Sequence, residues 1–199
     1  MVKLVNQTKF AGEIKGKRIP LFSVREIQRL FGLSKNAAFM VLHSYTKNGF
    51  ITRLKRGLYA FPDAFPPDSL IANKLYEPSY ISLQFALSYH GVIPETVYEI
   101  TSITTKATRR FEVEGKIYTY RRIKQSAFSG YRTERQAGIS FLIAEPEKAF
   151  VDLLYFRLYS GKRPIARFNK EKINPAKALR YAELFGNPKL TSIIKTTLR

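Results

Sequence analysis

Between Phe22 and Phe61 the apolar positions change period. Ile27, Leu30 and Phe31 fall at helical spacing, and Ala38, Val41, Leu42 and Tyr45 recur at i, i+3, i+4 and i+7, so two amphipathic helices are predicted. Beyond Gly49, the runs Ile51-Thr52-Arg53-Leu54 and Leu58-Tyr59-Ala60-Phe61 flank the basic turn Lys55-Arg56-Gly57, which predicts a hairpin. Ser23 with Glu26 three residues on forms a capping box for the first helix. Gly32 ends that helix in the left-handed region, and Ser34 caps the next, which runs to about Asn48. Helix, turn of about three residues, helix and basic hairpin together read as a winged helix-turn-helix, a DNA-binding unit.

Upstream, Val2, Leu4, Val5, Phe10 and Ile14 suggest a weak first helix limited by Gly12 and Gly16, followed by a short strand near Ile19 to Phe22 that could pair with the hairpin. Downstream, Pro62-Asp63-Ala64-Phe65-Pro66-Pro67 interrupts helix and ladder alike, which sets a domain boundary there: 1–66 and 67–199. In the second domain Asp68 caps a short helix to about Tyr76, and Ser82 opens another that ends at Gly91. Alternating stretches follow at 98–104, 110–113, 117–123, 131–134 and 139–143, which read as a meandering antiparallel sheet with one buried face. Glu145-Pro146-Glu147 starts a helix with proline early and acids in its first turn, and two more helices begin after Asn174 and Asn187. The predicted fold is α+β: the N-terminal winged helix-turn-helix, then an α+β domain whose antiparallel sheet is packed by helices.

The chain has 199 residues with a formal charge of +19, and 45% of them are hydrophobic, so it is long and apolar enough to bury a real core. Its charge points to a polyanionic partner, with nucleic acid ahead of a membrane surface. The excess is densest at the front: residues 1–61 hold twelve Lys and Arg against Glu13 and Glu26, while residues 62–199 hold twenty-two against thirteen Asp and Glu. Without cysteine, neither a disulfide nor a thiolate metal site is possible. No stretch has the ~20 apolar residues of a membrane helix, and no apolar run marks a signal peptide, so a soluble cytoplasmic protein is expected.

The candidate DNA-reading residues are Asn36, Met40, His43 and Lys47 on the outer side of the second helix, with Lys35 at its first turn and Phe39 on the flank. An asparagine at that turn can bridge the two major-groove groups of adenine. Arg53, Lys55 and Arg56 suit phosphate or minor-groove contact. His43 and His90 lie in different domains without acidic neighbours at ligand spacing, so no metal site or histidine catalytic pair is expected. His90 falls near a helix end, where a protonated ring would be favoured. Glu145, Glu147, Lys148 and Asp152 invite a magnesium nuclease reading, with Glu145, Lys148 and Asp152 on one helix side, yet an acid-rich helix start accounts for the same residues. No phosphate loop, nucleophile elbow or glycine fingerprint is present. A non-enzymatic regulator of double-stranded DNA without cofactor is therefore expected. An RNA-binding interaction protein and a magnesium nuclease stand as alternatives.

Several segments together resemble the AbiEi family of transcriptional regulators and antitoxins of type IV toxin–antitoxin and phage-abortive systems. They are Gly49-Phe50-Ile51 through Arg56-Gly57-Leu58-Tyr59; Tyr80-Ile81-Ser82 with Ala86-Leu87 and His90-Gly91; and Ile143-Ala144 with Glu147-Lys148-Ala149-Phe150-Val151-Asp152-Leu153-Leu154. The resemblance covers roughly residues 20 to 185. It implies a winged helix that represses the protein's own operon, and a C-terminal domain that counters a nucleotidyltransferase-like toxin without a stable complex. Exposed basic residues would be the first choice for an antitoxin surface. By strand alternation Arg109, Arg110, Lys116 and Arg122 are expected to face away from the core, and Arg121 to share the face of Ile117 and Ile123.

Overall fold

A computed structural model describes residues 5–136, 138–165 and 167–199. Among them are eight α-helices and two sheets, a mixed α+β composition, and the chain divides into two compact units, Met1–Pro67 and Asp68–Arg199. No helix among the described residues is long and apolar enough to cross a membrane.

The first unit holds α1 (Gln7–Gly16), β1 (Phe22–Ser23), α2 (Val24–Phe31), α3 (Lys35–Lys47), β2 (Thr52–Lys55) and β3 (Leu58–Ala60). Helix α1 carries Gly12 and Gly16 within it and is held by its buried Phe10 and Ile14. Val2 and Leu4, expected in its apolar pattern, lie outside the described residues. The capping box forms: the Ser23 amide donates to Glu26 Oε2 at 2.6 Å and the Glu26 amide to Ser23 Oγ at 3.3 Å. Gly32, at φ +61°, closes α2, and Ser34 Oγ accepts from the Ala37 amide at 3.2 Å to open α3. The three strands form an antiparallel sheet in the order β1-β3-β2, with Phe22 opposite Tyr59 and Arg53 also opposite Tyr59 from the other side.

Phe10 is the hub of this unit. Its ring lies 5.1 Å from Tyr45, 5.3 Å from Phe31, 5.8 Å from Phe22 and 6.1 Å from Phe61, so one side chain of α1 joins α2, α3 and the sheet. Such ring pairs add to the burial of large apolar area. The Tyr45 hydroxyl donates to the Val5 carbonyl and ties down the chain before α1.

In the second unit α4 (Asp68–Leu75), β4 (Ser79–Ile81), α5 (Leu83–Tyr89), β5 (Ile100–Thr104), β6 (Arg109–Val113), β7 (Lys116–Arg122), β8 (Tyr131–Gln136) and β9 (Ile139–Ala144) precede α6 (Pro146–Tyr159), α7 (Pro175–Glu183) and α8 (Pro188–Leu198). The sheet runs β6-β7-β5-β4-β9-β8 and is mixed, which corrects the expected antiparallel meander. Two parallel pairings are the reason, β4 with β9 and β5 with β7. The three buried residues of β4, with no alternation, gave no strand pattern, yet they insert between β5 and β9, pairing antiparallel with the first and parallel with the second. Strand β7, returning from a hairpin through Glu114 and Gly115, both at positive φ, lies parallel to β5. Asn73 of α4 completes the short β4–β9 contact, since its side chain accepts from the Leu142 amide at 2.5 Å and donates to the Leu142 carbonyl at 3.2 Å. It supplies the partners a longer β4 would have offered.

Both faces of this sheet are covered, where a single buried face was expected. On one, the Tyr118 hydroxyl donates to Asp68 Oδ1 at 2.9 Å and the Tyr120 hydroxyl to the Ala72 carbonyl at 2.5 Å, which seats α4. On the other, Tyr80 of β4 reaches Asp152 of α6 at 3.1 Å, and Arg121 of β7 lies 5.1 Å over the Phe156 ring.

Candidate nucleic-acid interface

The geometry of α3 is set from its inner side. Ala38, Val41, Leu42 and Tyr45 are buried against the Phe10 core, and the helix stops where Asn48 turns out and Gly49 takes φ +77°. Fixing that face leaves the opposite one no choice. Asn36, Phe39, Met40, His43 and Lys47 form an exposed stripe, with exposed Lys35 beside it on the first turn. Phe39 is 46% and Met40 64% exposed. The sequence of α3, KNAAFMVLHSYTK, contains no carboxylate.

The hairpin adds cations on a short, constrained support. Arg53 and Arg56 are exposed and Lys55 is half-buried, while Gly57 at φ +82° makes the turn and Leu54, Leu58 and Tyr59 anchor its strands. Among the described residues of this unit no charged side chain is buried. The predicted reading residues therefore fall into two groups, an amide and apolar pair bordered by cations on one helix side, and a set of cations on one hairpin. The first can match base edges and the second can neutralise phosphates.

The four basic residues singled out in the second unit are all exposed, but they do not share one face. Arg109 stands opposite Tyr120 and Arg110 opposite Thr119, so these neighbours point to opposite sides of the sheet. Lys116 and Arg122 share the face of Tyr118 and Tyr120 and, like Arg109 opposite Tyr120, belong to the α4 side, contrary to the expectation that they face away from the core. Lys116 and Arg122 reach water because they sit at the ends of β7. Lys116 also pairs with Asp68 at 2.6 Å.

The acid-rich start of α6 resolves into two arrangements. Glu145 accepts from the Tyr181 hydroxyl and pairs with Lys177 at 3.1 Å, and Glu147 accepts from the Asn174 amide at 3.2 Å. Burial raises the Glu145 carboxyl, but these two donors outweigh it and hold the group below its usual value. Lys148 and Asp152, both at 0% exposure, form an ion pair beneath the sheet, and Asp152 Oδ2 also accepts from Ser82 Oγ at 2.8 Å and from Tyr80. Burial lowers the Lys148 amine and raises the Asp152 carboxyl, and each is drawn back toward its charged form by the other. Nothing in the sequence foreshadowed Tyr80 and Ser82 in this cluster, because they lie about seventy residues from Asp152.

His90 corrects a further expectation. It caps α5, but its ring is partly buried, and that burial lowers its pKa and favours the neutral form, although the Nε2–H donates to the Ala144 carbonyl at 2.8 Å and pulls the other way. Among the described residues no group of three or more His, Cys, Asp or Glu side chains could hold a metal ion.

No family model matches the sequence, and no curated protein does. Among solved structures, that of the RV2827C protein from Mycobacterium tuberculosis is similar at 15% identity and a TM-score of 0.47, over 96% of this chain and 80% of that one. That likeness carries no functional inference.

Proposed function

We propose that residues 1–67 form a winged helix-turn-helix that binds operator DNA, with α3 in the major groove and β2–β3 as the wing. The observation that carries this reading is the exposed stripe of α3, where Asn36 and an apolar pair are bordered by cations without a carboxylate. In this role Asn36 bridges an adenine, while Arg53, Lys55 and Arg56 contact phosphate. The test is titration of the full chain with duplexes of varied sequence and salt. Asn36→Ala is expected to lose about 1–3 kcal/mol at one base pair and to relax preference there, whereas Arg56→Ala weakens all sequences evenly and lowers the salt slope by about one. Identical, sequence-independent losses for the two variants overturn the placement of α3, and tighter binding of structured RNA in competition favours the RNA alternative.

The protein is further proposed to repress its own operon in the cytoplasm and to act as the antitoxin of a type IV system. In this reading the second unit opposes a nucleotidyltransferase-like toxin without a stable complex. Support comes from the AbiEi resemblance at Ile143-Ala144 and Glu147 to Leu154. A non-enzymatic role is supported by Glu145, Glu147 and Asp152 being engaged by donors from α7, its cap, Tyr80, Ser82 and Lys148. Variants of Arg109, Arg110 and Arg122 should lose growth rescue against the toxin while repressing a reporter normally. Rescue by residues 1–67 alone as complete as that by the full chain would refute the antitoxin assignment.

A further inference from the structure

Asn36 and the cations leave the most unusual part of the α3 stripe without a role. Phe39 and Met40 follow Asn36 by three and four positions, so the amide and the apolar pair occupy the same side of the first turns. Both side chains stand in solvent at 46% and 64% exposure on a helix with no acidic residue, beside Lys35, His43 and Lys47. That surround suits a polyanion, and the apolar feature a duplex offers in its major groove is the 5-methyl group of thymine. The rise from Asn36 to Met40 is roughly 6 Å, close to two base-pair steps of about 3.4 Å. We infer that Phe39 and Met40 read thymine methyl groups next to the adenine bridged by Asn36, so that the recognised site contains consecutive A·T pairs. The inference rests on the DNA-binding reading and names the chemistry of its target.

The experiment uses the full chain. A duplex enriched from a random-sequence pool is remade with deoxyuridine in place of thymidine, which removes only the 5-methyl group and keeps pairing and groove hydrogen bonds. Affinity is expected to fall about fourfold for each methyl group the pair covers. The Phe39→Ala/Met40→Ala variant should bind the thymine duplex as weakly as the unmodified protein binds the uracil duplex, and should lose nothing further on uracil. Equal affinity of the unmodified chain for both duplexes overturns the inference and leaves DNA binding standing. Failure to enrich any duplex removes both. A change in sedimentation mass of the double variant, with the thymine-to-uracil ratio unchanged, assigns the pair to a second copy of the chain and likewise overturns the inference.

Discussion

Residues 5–67 bury rings and keep their charges outside, whereas residues 68–199 place Lys148 and Asp152 at zero exposure and hold them with Tyr80 and Ser82. Among the described residues the buried polar and charged side chains, tyrosines aside, all belong to the second unit. The contrast separates two uses of charge. In the first unit the core is nonpolar and tolerant of what lies on its surface, so the outer side of α3 and the hairpin are free to carry contact chemistry. In the second, charge is part of the architecture, and the buried Lys148–Asp152 pair is a poor candidate for contact with any partner.

The largest effects expected from breaking that contrast form a matched pair. Asp152→Asn keeps acceptors for Tyr80 and Ser82 but strands the Lys148 amine, and should destabilise the second unit by about 3–5 kcal/mol. Adding Lys148→Met should restore much of that loss, because it removes the stranded charge. A double variant as unstable as the sum of the two single ones would show that the charges matter only separately. Phe10→Ala should destabilise the first unit by a comparable amount, about 3–5 kcal/mol, since it empties the centre of the aromatic cluster. Hydrogen exchange resolved by unit is the readout, and an equal loss of protection in both units from either change would erase the comparison.

Much of the first unit was readable because its signals are local. Ser23 with Glu26, Gly32, Ser34 and Gly57 each act within four residues, and the Ala38 to Tyr45 spacing fixes which side of α3 faces out. The second unit depends on distant partners. Strand β4 was too short to alternate and the parallel pairing of β5 with β7 skips a strand in sequence, so the sheet was read as antiparallel, and the cluster around Asp152 joins β4, the cap of α5 and α6 across about seventy residues. The tyrosines at 118 and 120 lie on the α4 face, while attention to Ile117 and Ile123 favoured the other. His90 was placed at its helix end correctly, but the burial that favours the neutral ring comes from packing distant in sequence and leaves no local signal.

His90 gives a smaller and pH-dependent effect. A lowered folded pKa means that the neutral ring contributes stability above the unfolded value near 6.5, and that this contribution is lost as pH falls through the folded value. Protection of the second unit should therefore decline as pH falls below the ordinary histidine value of 6.5. His90→Gln, which keeps a donor for Ala144, should reduce that decline, and an unchanged pH profile would remove His90 from the account.

The most direct test of the division of roles is binding by the separated units. Residues 1–67 have their own core and all nine candidate reading residues, so this fragment should bind an enriched duplex within about tenfold of the full chain, while residues 68–199 lose most of the affinity. Full-strength binding by residues 68–199 beside a folded but inactive 1–67 would contradict the account.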